Sequence, residues 1–252
     1  IYTDHTTVPT VYSFDARTRT VEVFERPPGS VEVPAVRSLH VRYTSADGTS
    51  VGMFIVAPTN AGSPDQPDHP RPTILYGYGG FGIPLTPGYS AAILSWVQSG
   101  GVWAIANLRG GGEEGEQWHR DGMLGNKQNV FDDFHAAAQY LIDQGWTTTE
   151  QLGINGGSNG GLLVGAAMTQ RPDLYGTVVC VAPLLDMIRY TTSELGLTWT
   201  VEYGDPEVPE EFAWLHAYSP YHRVSEGTSY PATMVWSSRT TPAPIRCMVA
   251  RW

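Results

Sequence analysis

The stretch Ile154-Asn155-Gly156-Gly157-Ser158-Asn159-Gly160-Gly161 decides how this chain is read. An apolar run, "QLGI", leads into it, and a run of small and apolar residues, "GLLVGAAMTQRP", leaves it. The first reads as a strand and the second as a helix, so Gly156-x-Ser158-x-Gly160 lies on a strand-to-helix turn. That is the nucleophile-elbow pattern. Flanking side chains would collide with the adjoining strand and helix, which accounts for the glycines, and the hydroxyl projects from a helix N-terminus. A serine hydroxyl is a poor nucleophile until a base takes its proton. The alternative is a capping serine in a glycine-rich turn.

Outward from the elbow, the segments "TILYGYGG", "VWAIANLRGGGE" and "GTVVCVAP" read as apolar strands. Between them, "YSAAILSWVQSGG" has helical spacing and a glycine stop. "VFDDFHAAAQYLIDQG" places Val130, Phe131, Phe134, Ala137, Ala138, Leu141 and Ile142 on one helical face. Apolar strands alternating with helices predict the α/β class, with a mostly parallel sheet covered on both faces. In such sheets the site lies beyond the carboxyl ends of the strands. The glycine-rich segments 77–82, 110–112 and 156–161 all fall there.

The amino-terminal part is different. "TVYSFDAR" and "TVEVFERP" flank a turn at Asp15-Ala16-Arg17-Thr18, and Asp47-Gly48 marks a second hairpin. Residues 1–36 are expected to be the end of an all-β region and a linker. Residues 59–72, rich in proline and polar side chains, are expected to be a surface loop.

Bulk properties narrow the class. The chain has 252 residues, 41% of them hydrophobic, enough for a substantial core. A net charge of −10 argues against nucleic acid or an anionic membrane as partner. No apolar run approaches a membrane span, and no cysteine or histidine spacing suits a metal. Neither a metal nor a cofactor is expected. Cys180, inside an apolar run, reads as a small buried hydrophobe. Glu113, Glu114, Glu116 and His119 lack helical metal-ligand spacing and read as a solvated acidic loop, whose charge would also repel phosphate from the neighbouring glycines. The chain starts at Ile1 without a signal segment, which reads as a processed or partial chain.

The blocks "LYGYGGFGIPLTPGYS", "ANLRGGGEEGEQWHRDGMLGNKQNVFDDFHAAAQYLI" and "INGGSNGGLLVGAAMTQRPDLYG" resemble the prolyl oligopeptidase family of serine peptidases, from about Tyr43 to about Ala232. The resemblance implies an α/β-hydrolase fold over residues 37–252, incomplete at its carboxyl end, with a β-propeller remnant before it. It implies Ser158 as nucleophile, with the Asn159 N–H and the Tyr78 hydroxyl as oxyanion donors. Phe81, Leu184, Trp199 and Tyr203 resemble the family's pocket for a substrate proline, the last two through "GLTWTVEYGDP". The bland alternatives are a rim tyrosine for Tyr78 and core packing for the other four. The expected partners are short proline-containing peptides, and the protein is expected to be a monomer when complete, in the cytoplasm or periplasm.

The family follows its serine with an aspartate and then a histidine. Here "YPATMV" is followed by "WSSRTTPAPIRCMVARW", which contains no Asp, Glu or His. Back-translated with GC-rich codons and read from each third base, residues 236–252 yield a segment similar to the family's, so a frameshifted tail is expected. Ser158, Asp186 and His222 have the right chain order for a substitute triad, but Asp186 and His222 are expected to be structural. The expected function is therefore a serine endopeptidase cleaving short peptides after proline. The alternative is an inactive hydrolase-fold fragment or a peptide-binding pseudoenzyme.

Overall fold

The computed structural model describes residues 1–29, 33–63 and 67–237. The expected frameshift of the tail lies almost wholly outside them. Both hairpins form where turn chemistry placed them. β1 (Val11–Asp15) pairs antiparallel with β2 (Thr20–Glu25), with Asp15 opposite Thr20. β3 (Val36–Thr44) pairs antiparallel with β4 (Ser50–Pro58) around Gly48, whose φ of +89° suits a residue without Cβ.

The remaining strands are β5 (Thr73–Tyr76), β6 (Val102–Asn107), β7 (Leu152–Gly157), β8 (Thr177–Val181) and β9 (Ala232–Trp236). Among the described residues β3 to β9 form one sheet in the order β3-β4-β6-β5-β7-β8-β9. β3, β4 and β6 pair antiparallel, and every pairing from β6 across to β9 is parallel. β1 and β2 form a separate two-stranded sheet.

The helices are α1 (Ala91–Gln98), α2 (Glu116–Arg120), α3 (Gln128–Asp143), α4 (Asn159–Gln170), and then four after β8. These are α5 (Glu194–Leu197), α6 (Thr200–Tyr203), α7 (Pro209–Tyr218) and α8 (Pro220–Arg223). The crossover from β5 through α1 leads to β6 on one side of β5. The crossover through α3 leads back past β5 to β7 on its other side. Right-handed crossovers in opposite directions put α1 and α3 on opposite faces, and α4 joins α3. The sheet is thereby covered on both faces, as the apolar strands predicted, in the α/β-hydrolase arrangement. Val130, Phe131, Phe134, Ala137, Ala138 and Leu141 bury the inner face of α3.

The reversal of direction at β5 sets the site. β5 and β7 are hydrogen-bonded neighbours, with Tyr76 in register with Asn155, so their outgoing loops leave the sheet side by side. One loop carries Tyr78 to Gly82 and the other carries Ser158.

Candidate active site

At the end of β7, Ser158 adopts φ 56° and ψ −117° and serves as the N-cap residue of α4. Its N–H donates to the Val181 carbonyl at 2.9 Å. The flanking glycines are steric requirements. A Cβ on Gly156 would stand 2.0 Å from the Gly160 carbonyl oxygen, and one on Gly161 would stand 2.7 Å from Pro183 Cα. Asn159 is the first residue of α4, so its backbone N–H has no intrahelical acceptor.

One cavity of about 250 Å³ is lined by Tyr78, Phe81, Ile83, Ser158, Asn159, Ala182, Leu184, Trp199 and Tyr203. All seven residues singled out from the sequence meet there. Ile83 and Ala182 were missed. No residue-type signal marks Ile83, but backbone strain marks Ala182. The non-glycine residues with positive φ among those described are Arg19, Phe81, Leu124, Ser158 and Ala182. Three of these five line this cavity. Strained backbone costs about 1–3 kcal/mol per residue and persists where the surroundings hold it, typically at functional sites.

The Asn159 side chain is held from two directions. Its amide nitrogen donates to the Tyr78 carbonyl at 2.6 Å, and its amide oxygen accepts from the Tyr203 hydroxyl at 2.8 Å. The amide thereby joins the β5 loop, the elbow and α6. The Tyr203 ring meets Phe81 edge-on at 5.5 Å and Tyr190 edge-on at 5.7 Å. Burial raises the Tyr203 phenol well above its ordinary pKa, so it is a fixed donor. Burial likewise raises Tyr78, opposed by its hydrogen bond with the Ser158 hydroxyl. At neutral pH Tyr78 is a neutral phenol with a proton to donate. A negative charge developing beside Ser158 Oγ would therefore meet two donors, one from backbone and one from a phenol. This is the physical requirement of an oxyanion hole.

Beneath the cavity lies a buried charge cluster that the sequence did not announce. The Lys127 ammonium, 1% exposed, donates to the Gly79 carbonyl at 2.9 Å and to Glu202 Oε1 at 3.1 Å. Glu202 Oε2 lies 2.7 Å from His119 Nε2. Burial lowers the pKa of Lys127, and Glu202 opposes that shift. The reading of Glu113, Glu114, Glu116 and His119 as a solvated acidic loop holds for exposed Glu114 and Glu116 and is corrected at the other two. His119 is paired with buried Glu202, and Glu113 turns inward to accept from the Leu85 N–H at 2.8 Å and the Asn107 amide at 3.3 Å. Loop composition did not reveal that the glycines around these residues let the loop fold back onto β6.

Asp186 and His222 are occupied elsewhere. Asp186 Oδ1 accepts from the N–H groups of Ile188 and Arg189 at 3.1 Å each, Oδ2 pairs with Arg189, and His222 Nδ1 bonds Ser219 Oγ at 2.9 Å. Among the described residues there is no cluster of three or more metal-ligating side chains.

Comparison with known proteins gives the family and the fold. The model of the prolyl oligopeptidase family of peptidases matches residues 87–240. The prolyl endopeptidase of Elizabethkingia meningoseptica is 42% identical over 247 residues, which cover 96% of this chain and 34% of that protein. A solved structure from a study of two prolyl endopeptidases, on inter-domain dynamics in catalysis and specificity, is 49% identical with a TM-score of 0.86, covering 92% of this chain and 34% of that one. Prolyl oligopeptidase B of Galerina marginata, bound to a 35-residue hydrolysis and macrocyclization substrate, is 34% identical with a TM-score of 0.86, covering 92% of this chain and 33% of that one. The chain thus spans about a third of the length of the relatives it matches.

Proposed function

The chain belongs to the prolyl oligopeptidase family, and on that premise we propose that Ser158 is the nucleophile of a serine peptidase that cleaves short peptides after proline. The observation that carries the reading is the single cavity joining a strained serine, two oxyanion donors and an aromatic wall. Ser158 Oγ attacks the carbonyl carbon as its proton passes to a base. The tetrahedral oxyanion accepts from the Asn159 N–H and the Tyr78 hydroxyl. Collapse expels the amine, protonated by the conjugate acid, and leaves an acyl group on Ser158 that water then removes. Phe81, Leu184, Trp199 and Tyr203 bound a space suited to one small ring, and flat aromatic faces suit pyrrolidine. The relatives' names and the peptide held by the Galerina marginata enzyme support the substrate class.

One observation favours a second reading, a hydrolase fold that holds peptides without turnover. The sequence has seven histidines. His5 bonds Ser38, His69 pairs with Asp68, His119 bonds Glu202, His135 bonds Tyr175 and His222 bonds Ser219. His40 packs on Phe54 and His216 on Phe212. None is hydrogen-bonded to Ser158 among the described residues.

A fluorophosphonate probe separates the two, with Ser158→Ala as control. Ser158-dependent labelling and cleavage of a prolyl anilide support the peptidase. Saturable binding of a proline-containing peptide without labelling supports the second reading. Neither labelling nor binding would refute both.

A further inference from the structure

The buried pair Lys127 and Glu202, with half-buried His119 behind it, touches both walls of the cavity without lining it. Lys127 Nζ holds the carbonyl of Gly79, the residue after Tyr78. The same ammonium holds Glu202, the residue before Tyr203, and lies 5.4 Å from the centre of the Tyr203 ring. Glu202 passes the connection to His119. The His119 ring lies 3.6 Å from where a Cβ on Gly82 would stand, so it packs against the far end of the Tyr78 loop. Three side chains thus fix the loop bearing the phenol and the helix bearing the pocket tyrosine relative to each other.

The chemistry favours positioning over mere packing. A Lys–Glu pair 1% and 2% exposed gives up hydration that an apolar pair of the same volume would not. It is a weak source of stability, but its two ends have strict geometric demands. Gly79 adds to these. It has φ +62°, and a Cβ there would stand 2.3 Å from Val130, so the loop has one path past α3 and Lys127 receives its carbonyl.

We propose that Lys127, with Glu202 and His119 behind it, is a positioning residue for the oxyanion site, acting through Gly79 on the Tyr78 hydroxyl and through Glu202 on Tyr203. The proposal rests on the peptidase reading for its catalytic consequence. A misplacement of about 1 Å at a reacting group costs about 10²-fold in rate. Lys127 touches neither Ser158 nor Tyr78 in any contact described, so its influence must pass through the loop.

The test is a double-mutant cycle in the full-length protein, read by the rate of Ser158 labelling with a fluorophosphonate and by prolyl-anilide kcat and KM. Lys127→Met is expected to lower the labelling rate and kcat by about 10–100-fold with KM changed less than about threefold. In a Tyr78→Phe background the same substitution is expected to cost several-fold less than in the parent, because one of the two groups it positions is already gone. Equal losses in both backgrounds would overturn the proposal and leave Lys127 a packing residue. Glu202→Gln keeps the hydrogen bonds and is expected to retain most of the rate. If Lys127→Met fails to fold, Lys127→Gln, which keeps a polar group but is too short to hold both the Gly79 carbonyl and Glu202, takes its place in the cycle. Should the parent neither label nor cleave, the peptidase reading fails, and hydrogen exchange judges the relay alone. Lost protection confined to segments 77–83 and 199–204 in Lys127→Met supports it, and unchanged protection there refutes it.

Discussion

Gly80→Ala tests the arrangement at the elbow with a single methyl group. No positive φ constrains Gly80, so alanine fits its backbone. The added Cβ would stand 2.5 Å from Asn159 Nδ2, 2.8 Å from Cγ and 2.9 Å from Oδ1. A side-chain end can normally swing away from such a contact. This one is pinned, with Nδ2 donating to the Tyr78 carbonyl at 2.6 Å and Oδ1 accepting from the Tyr203 hydroxyl at 2.8 Å. Moving it breaks both bonds and strands a buried phenol. At about 1 kcal/mol for the bond to the Tyr78 carbonyl, and about 1–3 kcal/mol for the Tyr203 hydroxyl left unsatisfied, the loss of stability is about 2–4 kcal/mol. On the proposed function Asn159 also carries the backbone oxyanion donor, so the labelling rate of Ser158 should fall about 10²-fold. Urea unfolding measures the first effect and fluorophosphonate kinetics the second. In an Asn159→Ala background the three atoms nearest the methyl are gone, and its stability cost should shrink to well under half of that in the parent. If Gly80→Ala unfolds and labels like the parent, or costs the same in both backgrounds, the pinned-amide argument is wrong.

Tyr78→Phe removes one oxygen from a half-buried ring. It should lower prolyl-anilide kcat by about 10²–10³-fold while leaving the melting temperature nearly unchanged, which steady-state kinetics and calorimetry check together. Asp133→Ala should destabilise by about 3–5 kcal/mol in urea titration, because fully buried Asp133 accepts from Arg109 Nη2 at 2.6 Å and Ser45 Oγ at 2.5 Å and its loss strips a buried guanidinium. The Arg109 guanidinium beside Asp47 holds that carboxyl at about 2, below its ordinary 3.8. The stability this contributes is complete above pH 3.8 and is lost as pH falls through about 2. Asp47→Asn should therefore flatten the urea-midpoint curve across that window and leave its slope at pH 5–7 unchanged.

The sequence carried a good deal of this arrangement and missed a definable remainder. Hairpins were legible because Asp15–Thr18 and Asp47-Gly48 are local turn chemistry. The elbow was legible because its glycine spacing is local, and at Gly156 the requirement itself is local, a Cβ there meeting the Gly160 carbonyl. Tyr78, Phe81, Trp199 and Tyr203 were found only through family blocks, since nothing in their own spacing distinguishes a pocket aromatic from a core one. The Lys127–Glu202–His119 cluster was invisible for a plainer reason. Its partners are 75 and 83 residues apart in the chain, and a lysine in "GNKQN" reads as a surface residue. The short helices α5, α6 and α8 span four residues each, less than the two turns over which helical periodicity shows itself.

The Asn159 amide that joins three separate elements also orders events in time. Its partners are Tyr78, 81 residues upstream, and Tyr203, 44 residues downstream. On a growing chain, Ser158 emerges well before Tyr203. The elbow can turn while the amide is held on one side only and the pocket has one wall. The site is complete only when the segment carrying Tyr203 folds back over it. On the proposed function, a serine assembled in this order stays unarmed while neighbouring backbone is still extended, the state in which it is easiest to cut.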